Sequence, residues 1–239
     1  MEKPDYGIDA PGVIRTMLLI GAFLIIAALL PSTRTDGLRS LRITALITGS
    51  ILVAEAGLML LYAKSGKFTH RDRMLKLVDW NRSEKVLDVG TGRGLLMIAA
   101  AHNLKAGHAV GIDIWNASDL SGNRIENTLR NAELEGVRDK VQVENVDATA
   151  LPFPDRTFDV VLSNLCLHNI PARQGRAQAC AEIARVLKPG GRAIISDFKN
   201  TRFYAAAFRT QGLEVGRKGP FLWDTFPPLR IVIATKPEA

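Results

Sequence analysis

The chain has 239 residues, enough for one complete α/β domain and a small additional segment. Its net charge of +7 favours contact with an anionic surface, and its aromatic residues, 6% of the chain, do not interleave with basic runs. A nucleic-acid partner is therefore not expected, and a lipid bilayer is. The two cysteines, Cys166 and Cys180, lack metal-ligand spacing and a disulfide-rich context, so we expect no metal site and a reducing compartment.

Two long apolar runs lie near the start of the sequence. Residues 13–30 and 43–62 each contain one charged residue, Arg15 and Glu55, and each can cross a hydrocarbon core about 30 Å thick. A short polar linker, residues 31–42, separates them, which predicts a two-helix transmembrane hairpin. No cleavage-site pattern follows the first run, which disfavours a signal peptide. A soluble hairpin that covers the rest of the protein and a hairpin on the lipid surface remain as alternatives.

The basic residues that flank the runs predict the orientation of this hairpin. Its two outer flanks, which share one side, carry seven Lys and Arg residues, against three in the linker. We therefore expect a membrane protein with its α/β domain in the cytoplasm. Ala45 and Gly49 would let the two helices approach closely. On this interpretation residues 1–66 are the membrane-anchoring hairpin and residues 67–239 are the α/β domain.

Beyond a helix predicted at residues 69–80, strand-like apolar runs alternate with helical segments. The predicted strands are KVLDVG, HAVGID, VQVEN, FDVVLSN, GRAIISDF, LEVGR and RIVIAT. A long helix, ARQGRAQACAEIARVLK, is expected to stop at Pro189, which is followed by two glycines. This alternation predicts an α/β fold with a mostly parallel sheet and helices on both faces.

The segment VLDVGTGRG, residues 86–94, is a glycine-rich turn between a strand and a helix. Glycines let the backbone lie directly against a ligand, and the helix N-terminus presents free N–H groups. The dinucleotide motif is G-x-G-x-x-G, whereas here the third glycine, Gly94, comes one position early, which disfavours a nicotinamide-dependent oxidoreductase. Asp88, before the turn, would also repel a phosphate. S-adenosylmethionine (SAM), a cation without phosphates, suits this turn better.

The ends of the next three predicted strands complete the candidate site. Asp113 can accept hydrogen bonds from two ribose hydroxyls, and Asp147 is placed to accept one from an adenine amino group. Asn164 should line the methyl-donor pocket, because ligands in such sheets bind outside the carboxyl ends of the strands. The candidate cofactor residues at these ends are Asp113, Ile114, Trp115, Asp147, Ala148 and Asn164.

Together these segments resemble the class I SAM-dependent methyltransferases, especially the type 11 branch similar to quinone-biosynthesis C-methyltransferases. The resemblance covers roughly residues 84–198 and includes RVLKPGG at residues 185–191. It implies SAM as cofactor and a Rossmann-like, seven-stranded sheet whose last strand is antiparallel. It also implies that Asp113 contacts the ribose and Asp147 the adenine. The candidate cofactor residues of the turn are Asp88, Gly90, Thr91, Gly92 and Gly94. Of these, the resemblance implies that Asp88, Gly90 and Gly92 contact the methionine part.

His168, in SNLCLHNI, is the candidate catalytic residue. It can take a proton from an acceptor, or it can line the pocket or cap a helix. The stretch between Asp197 and the following helix is too short for the insert that often caps the acceptor pocket in the family that the sequence resembles. We therefore expect the helix at residues 68–80, the loop at residues 221–226 or the bilayer to supply the walls. The expected acceptor is a lipid or another membrane-associated small molecule, and a protein or a soluble metabolite is the alternative.

Overall fold

The computed structural model describes residues 2–30 and 37–238, so most of the predicted linker, residues 31–36, lies outside the described residues. The helices are α1 Pro11–Leu29, α2 Gly37–Leu61, α3 Lys67–Leu75, α4 Leu95–Asn103, α5 Ile125–Leu134, α6 Arg173–Val186 and α7 Thr201–Thr210. The strands are β1 Lys85–Val89, β2 His108–Asp113, β3 Val141–Asn145, β4 Phe158–Asn164, β5 Leu187–Asp197, β6 Glu214–Phe221 and β7 Leu229–Thr235.

These strands form one sheet in the order β3-β2-β1-β4-β5-β7-β6. The strands β1 to β5 pair in parallel, and β7 runs antiparallel to both β5 and β6. Along β1 the side chains alternate, so that Leu87 and Val89 pack with α6 and α7 while Val86 packs with α3 and α4. Helices therefore cover both faces, which confirms the predicted fold and its antiparallel last strand.

Two helix ends differ from the prediction. The helix α6 ends at Val186, before Pro189, because Leu187 has an extended backbone and pairs with β4. Pro189 consequently lies within β5, where we had expected the end of a helix. The helix α3 ends at Leu75, whereas the prediction extended it to Trp80. The Trp80 indole N–H donates a hydrogen bond of 3.0 Å to the Leu75 carbonyl and so caps this earlier end.

The helices α1 and α2 pack as an antiparallel hairpin whose backbones meet at two glycines. A Cβ on Gly49 would lie 2.7 Å from the carbonyl oxygen of Gly21, so neither position has room for a side chain. The Arg42 guanidinium donates hydrogen bonds to the carbonyls of Ala28 and Leu30. A cation at the last turn of α1 both satisfies free carbonyls and complements the helix dipole.

The outer surface of this hairpin is apolar. Leu19, Phe23 and Leu29 of α1 and Leu41 and Leu61 of α2 are 62–69% exposed. By length and composition, both helices can cross a membrane. In the 18-residue apolar stretch of each helix, only 17% and 11% is buried. Their side chains are therefore not packed as those of a core helix in a soluble domain are.

The second hairpin helix continues into the α/β unit. A π-helical turn, Tyr62–Gly66, joins α2 directly to α3. A Cβ on Gly66 would lie 2.0 Å from the carbonyl oxygen of Asp224, which shows how closely this turn meets the loop between β6 and β7. In α3, His70 Nε2 lies 2.7 Å from the hydroxyl of Ser196, near the end of β5. The continuous helix therefore crosses the edge at which the parallel strands end.

His70 is buried in its neutral form at this crossing. Its Nδ1 accepts a hydrogen bond of 2.9 Å from Arg73, which can only donate, so Nε2 carries the proton and donates to Ser196. Burial is the main cause that lowers the pKa of His70 to about 4, and the positive charge of Arg73 is the second.

We expect His70 to make the protein sensitive to acid. Because its pKa is lower in the folded state, the stabilisation is complete above about pH 6.5 and is lost as the pH falls towards 4. The free energy of unfolding should drop by up to about 1.4 kcal/mol per pH unit in this window. Thermal unfolding of the full chain in detergent, at about pH 7.5 and about pH 5, should show a smaller acid loss for His70→Gln than for the wild type. Equal losses would contradict this account.

We expect Gly49→Leu to destabilise the hairpin, because the new side chain must displace the α1 backbone at Gly21. Such overpacking costs about 1–3 kcal/mol. The matched control is Gly57→Leu in the same helix, where the described residues place no atom within 4 Å of an added Cβ. Thermal unfolding in detergent micelles should show a lower midpoint for Gly49→Leu than for Gly57→Leu. Identical midpoints for the two variants would exclude a tight glycine contact.

Candidate active site

A cavity opens at the carboxyl ends of the parallel strands, where the strand order reverses between β1 and β4. Gly90 follows β1, Asp113 ends β2, Asp147 follows β3 and Asn164 ends β4. The fold thus brings together residues that are far apart in the sequence. Seven of the eleven predicted cofactor residues line the cavity: Gly90, Gly92, Asp113, Ile114, Asp147, Ala148 and Asn164. The four that do not line it are Asp88, Thr91, Gly94 and Trp115.

The two glycines of the cavity wall cannot carry side chains. Gly90 and Gly92 have φ angles of +74° and +54°, which favour glycine. A Cβ on Gly90 would lie 2.3 Å from Cys166 Sγ, and one on Gly92 would lie 2.8 Å from Leu120 Cδ2. The turn therefore presents bare backbone to whatever occupies the cavity.

Asp88 lies beneath this turn. Its Oδ2 accepts hydrogen bonds from the Thr91 hydroxyl and from Met97 N, each 2.9 Å long, and so ties the turn to the start of α4. Asp88 is 1% exposed, and this burial raises the pKa of its carboxyl to about 7. In this structure Asp88 supports the turn, and its predicted contact with the cofactor stays a prediction.

Asp113 fastens the same turn to the end of β2. Its Oδ2 accepts from Gly92 N at 2.8 Å, and its Oδ1 accepts from Trp115 N at 2.7 Å and from Asn123 Nδ2 at 3.2 Å. A carboxylate has about four lone-pair sites, so acceptor capacity remains for a ligand. The loop residue Asn123 also lines the cavity, and its Oδ1 is buried without a hydrogen-bond partner among the described residues.

The cavity is anionic. Asp9, Asp113, Asp119 and Asp147 line it, and within the described part of the chain no Lys or Arg does. Asn164, at the end of β4, adds a buried Oδ1 that has no partner among the described residues. Such a lining suits a cation with hydrogen-bond donors, whereas a pyrophosphate would meet unfavourable charge.

Residues 5–10, which we call the N-terminal strap, cover one side of this site. Ile8 N donates to the Ser121 hydroxyl at 2.7 Å, and Ser121 N donates back to the Ile8 carbonyl at 3.0 Å. Ala10 N donates to the carbonyl of Asp119 at 2.8 Å. Sequence reasoning missed the strap and Asp9 within it, because so short a segment has no apolar period. The strap packs on the α/β unit although its sequence position assigned it to the hairpin.

The helix from the hairpin also reaches the site. Tyr62, in the π-helical turn, is 4% exposed, and its hydroxyl accepts a hydrogen bond of 3.3 Å from Asn164 Nδ2. Asn164 thus lies between the hairpin helix and the cavity that it lines. Sequence reasoning treated Tyr62 as the end of a membrane span and gave it no place in the site.

His168 lies behind the cavity wall. Its Nδ1 is 2.9 Å from Asp197 Oδ1 without hydrogen-bond geometry, and its ring packs edge-on against Phe198 with centroids 4.7 Å apart. Two residues close to it in sequence, Cys166 and Asn169, line the cavity, whereas His168 does not. Its role as a proton acceptor stays a prediction.

Comparison with known proteins agrees with this geometry. The family described as "Methyltransferase domain" matches residues 87–195. The chain is 32% identical over 133 residues to the ubiquinone/menaquinone biosynthesis C-methyltransferase UbiE of Geobacter sulfurreducens, covering 55% of this chain and 48% of that protein. It is 36% identical over 134 residues to a demethylmenaquinone methyltransferase of Tropheryma whipplei, covering 56% and 49%. The chain spans about half the length of the curated relatives it matches.

Solved structures share the fold. A SAM-dependent methyltransferase from Methanosarcina mazei aligns with a TM-score of 0.54 at 19% identity, covering 66% of this chain and 95% of that one. An O-methyltransferase family protein from Burkholderia thailandensis aligns with a TM-score of 0.62 at 14% identity, covering 95% and 72%. Residues 87–195 therefore match a methyltransferase domain, and SAM is the cofactor that such a domain implies.

We expect Gly92→Val to abolish binding of S-adenosylhomocysteine, the demethylated product of SAM, because the side chain would enter the cavity beside Leu120. Gly136→Val is the matched control, since Gly136 also has a positive φ, +69°, but no described atom lies within 4 Å of an added Cβ. Both variants strain the backbone, so circular dichroism should verify that each is folded. Calorimetric titration should then show binding to Gly136→Val alone. Binding to a folded Gly92→Val would remove the glycine turn from the site.

Proposed function

We propose that this protein transfers a methyl group from SAM to an acceptor in the membrane, a lipid or another apolar small molecule. When bound, SAM supplies an electrophilic methyl group on a positively charged sulfur. The observation that carries the cofactor assignment is the anionic cavity, which opens at the strand ends of a methyltransferase domain. Methyl transfer mainly requires alignment of donor and acceptor, so the shape of the cavity matters more than any single basic residue.

The residues at the strand ends fit the parts of SAM. Gly90 and Gly92 would lie against its amino-acid part, because only bare backbone is there. Asp113 would accept hydrogen bonds from the ribose hydroxyls with its remaining lone pairs. Asp147 Oδ1 accepts from Thr149, both N and Oγ1, at 2.8 Å, while its Oδ2 has no hydrogen bond among the described residues and would face the adenine amino group.

The path of α2 supports an acceptor that comes from the bilayer. Its apolar surface ends at Leu61, and the next residue, Tyr62, contacts Asn164 in the cavity wall. If the hairpin spans the membrane, the cavity lies at the membrane surface. Attachment to the membrane would not help the protein to bind a water-soluble acceptor.

An apolar hollow at the base of the hairpin suits the apolar chain of this acceptor. Its lining is Ile8, Pro11, Ile14, Arg15, Leu18, Leu19 and Leu60. Ile8 precedes Asp9, which lines the cofactor cavity, so the two spaces are neighbours. The hollow is continuous with the exposed apolar surface of α1 through Leu19, which supports an acyl or isoprenoid chain as its occupant.

The loop between β6 and β7 supports a bilayer surface at the same level. Trp223 is 99% exposed and Leu222 is 61% exposed. The next residue, Asp224, pairs with Arg73 and touches the π-helical turn at Gly66. Tryptophan is enriched at membrane–water interfaces, and basic residues near the turn would attract anionic lipid. The excess of basic residues on this side supports a cytoplasmic catalytic domain.

Calorimetric titration of the full chain in detergent with S-adenosylhomocysteine and with NAD tests the cofactor. We expect S-adenosylhomocysteine to bind and NAD not to, because the cavity lining holds four carboxylates. Binding of NAD alone would favour a nicotinamide-dependent oxidoreductase and contradict the proposal.

The acceptor is tested with the full chain in lipid vesicles and methyl-labelled SAM, supplied with total lipid extract or with the water-soluble metabolite pool. We expect label in the lipid fraction, and none with the Gly92→Val variant. Label confined to the water-soluble pool, or to protein, would overturn a lipid acceptor and leave methyl transfer intact.

A further inference from the structure

One carboxylate of the cavity comes from outside the α/β unit's strands, helices and connecting loops. Asp9 belongs to the N-terminal strap, two residues before α1, and it lines the cavity with a side chain that is 31% exposed. It forms an isolated antiparallel bridge with Leu120, the residue whose side chain lies nearest to Gly92. Asp9 is therefore on the side of the cavity formed by the glycine turn.

The nearest cation does not satisfy this carboxylate. Lys67 Nζ is 3.8 Å from Asp9 Oδ2, beyond hydrogen-bond distance, and donates instead to the carbonyls of Tyr6 at 2.8 Å and Gly7 at 2.5 Å. Asp9 Oδ2 is buried and has no hydrogen-bond partner among the described residues. Burial raises the pKa of the Asp9 carboxyl, so a second, hydrogen-bonding cation would offset the cost of keeping it ionised.

Among the described residues, the other acids near the glycine turn already accept hydrogen bonds from the protein. Asp88 is buried beneath the turn and holds Thr91 and Met97. Asp88 Oδ1 also has no partner, but Asp88 does not line the cavity. Asp113 holds the turn from the end of β2. Asp119 accepts hydrogen bonds from the side chains of Asn116 and Ser118 in its own loop. An ammonium group lying along the glycine turn would therefore meet Asp9 as its carboxylate partner.

We propose that Asp9 binds the ammonium group in the amino-acid part of SAM. This assignment rests on the proposed function, and it adds a cofactor residue that lies outside the matched methyltransferase domain. The ammonium would donate a charge-assisted hydrogen bond to Oδ2, which Lys67 is too far away to supply. Because Pro11 begins α1 directly after Ala10, the same contact links the cofactor to the start of the membrane hairpin.

The test compares two ligands that differ in the amino-acid part. S-adenosylhomocysteine contains it, whereas 5′-methylthioadenosine keeps the adenosine and the thioether without it. Both are titrated into the full chain in detergent, as wild type, Asp9→Asn and Glu2→Gln. Glu2 pairs with Arg130 at 2.6 Å, and its side chain is 60% exposed, so the control removes a charge from the same end of the chain.

We expect Asp9→Asn to lower the affinity for S-adenosylhomocysteine about tenfold or more, because a hydrogen bond to a charged group is lost. The affinity for 5′-methylthioadenosine should not change. Glu2→Gln should leave both affinities unchanged. Equal weakening of both ligands would mean that Asp9 only positions the strap, and no change in either would mean that it does not touch the ligand. Both outcomes overturn the assignment. A wild type that binds neither ligand would instead contradict the proposed function.

Discussion

The unbroken helix from α2 through the π-helical turn into α3 is the constraint on which the rest of the structure depends. Tyr62 meets Asn164 at the end of β4, Gly66 meets the backbone of Asp224, and His70 meets β5 near its end. Because the cavity opens at these strand ends, a helix fixed there brings the base of the hairpin to the mouth of the cavity. The same hairpin at the opposite edge of the sheet would hold the cavity away from its apolar surface.

The chain as a whole is positively charged, whereas its cavity is lined by acidic residues. The chain carries a net charge of +7, yet its cavity is lined by carboxylates without a cation from the described residues. Burial raises the pKa of Asp88 to about 7, so the acid nearest the turn is partly neutral near neutral pH. The field in the cavity therefore comes mainly from the acids that line it. A positive exterior favours an anionic bilayer, and an acidic interior favours a cationic cofactor.

The strands and the glycine turn were predictable from the sequence because their signals are local. Buried strands show as apolar runs, and Gly90 and Gly92 stand where the backbone needs a positive φ. The end of α6 was not predictable, since Pro189 is a strong local stop signal and the pairing of Leu187 with β4 is a long-range interaction. Asp9 was missed for the same reason. Asp9 lies in the cavity because it forms a bridge with Leu120, and no sequence pattern within the strap predicts this bridge.

Asp113 illustrates why the role of a cavity residue cannot be separated from its support of the fold by deletion alone. Its carboxylate accepts from Gly92 N, Trp115 N and Asn123 Nδ2. Removing it would release the turn, leave buried donors unsatisfied and take away the acceptor proposed for the ribose, and each loss weakens binding. A change in the ligand leaves the turn intact. Comparing S-adenosylhomocysteine with an analogue that lacks the ribose hydroxyls, on the wild-type protein, therefore isolates the contact that an Asp113 variant cannot.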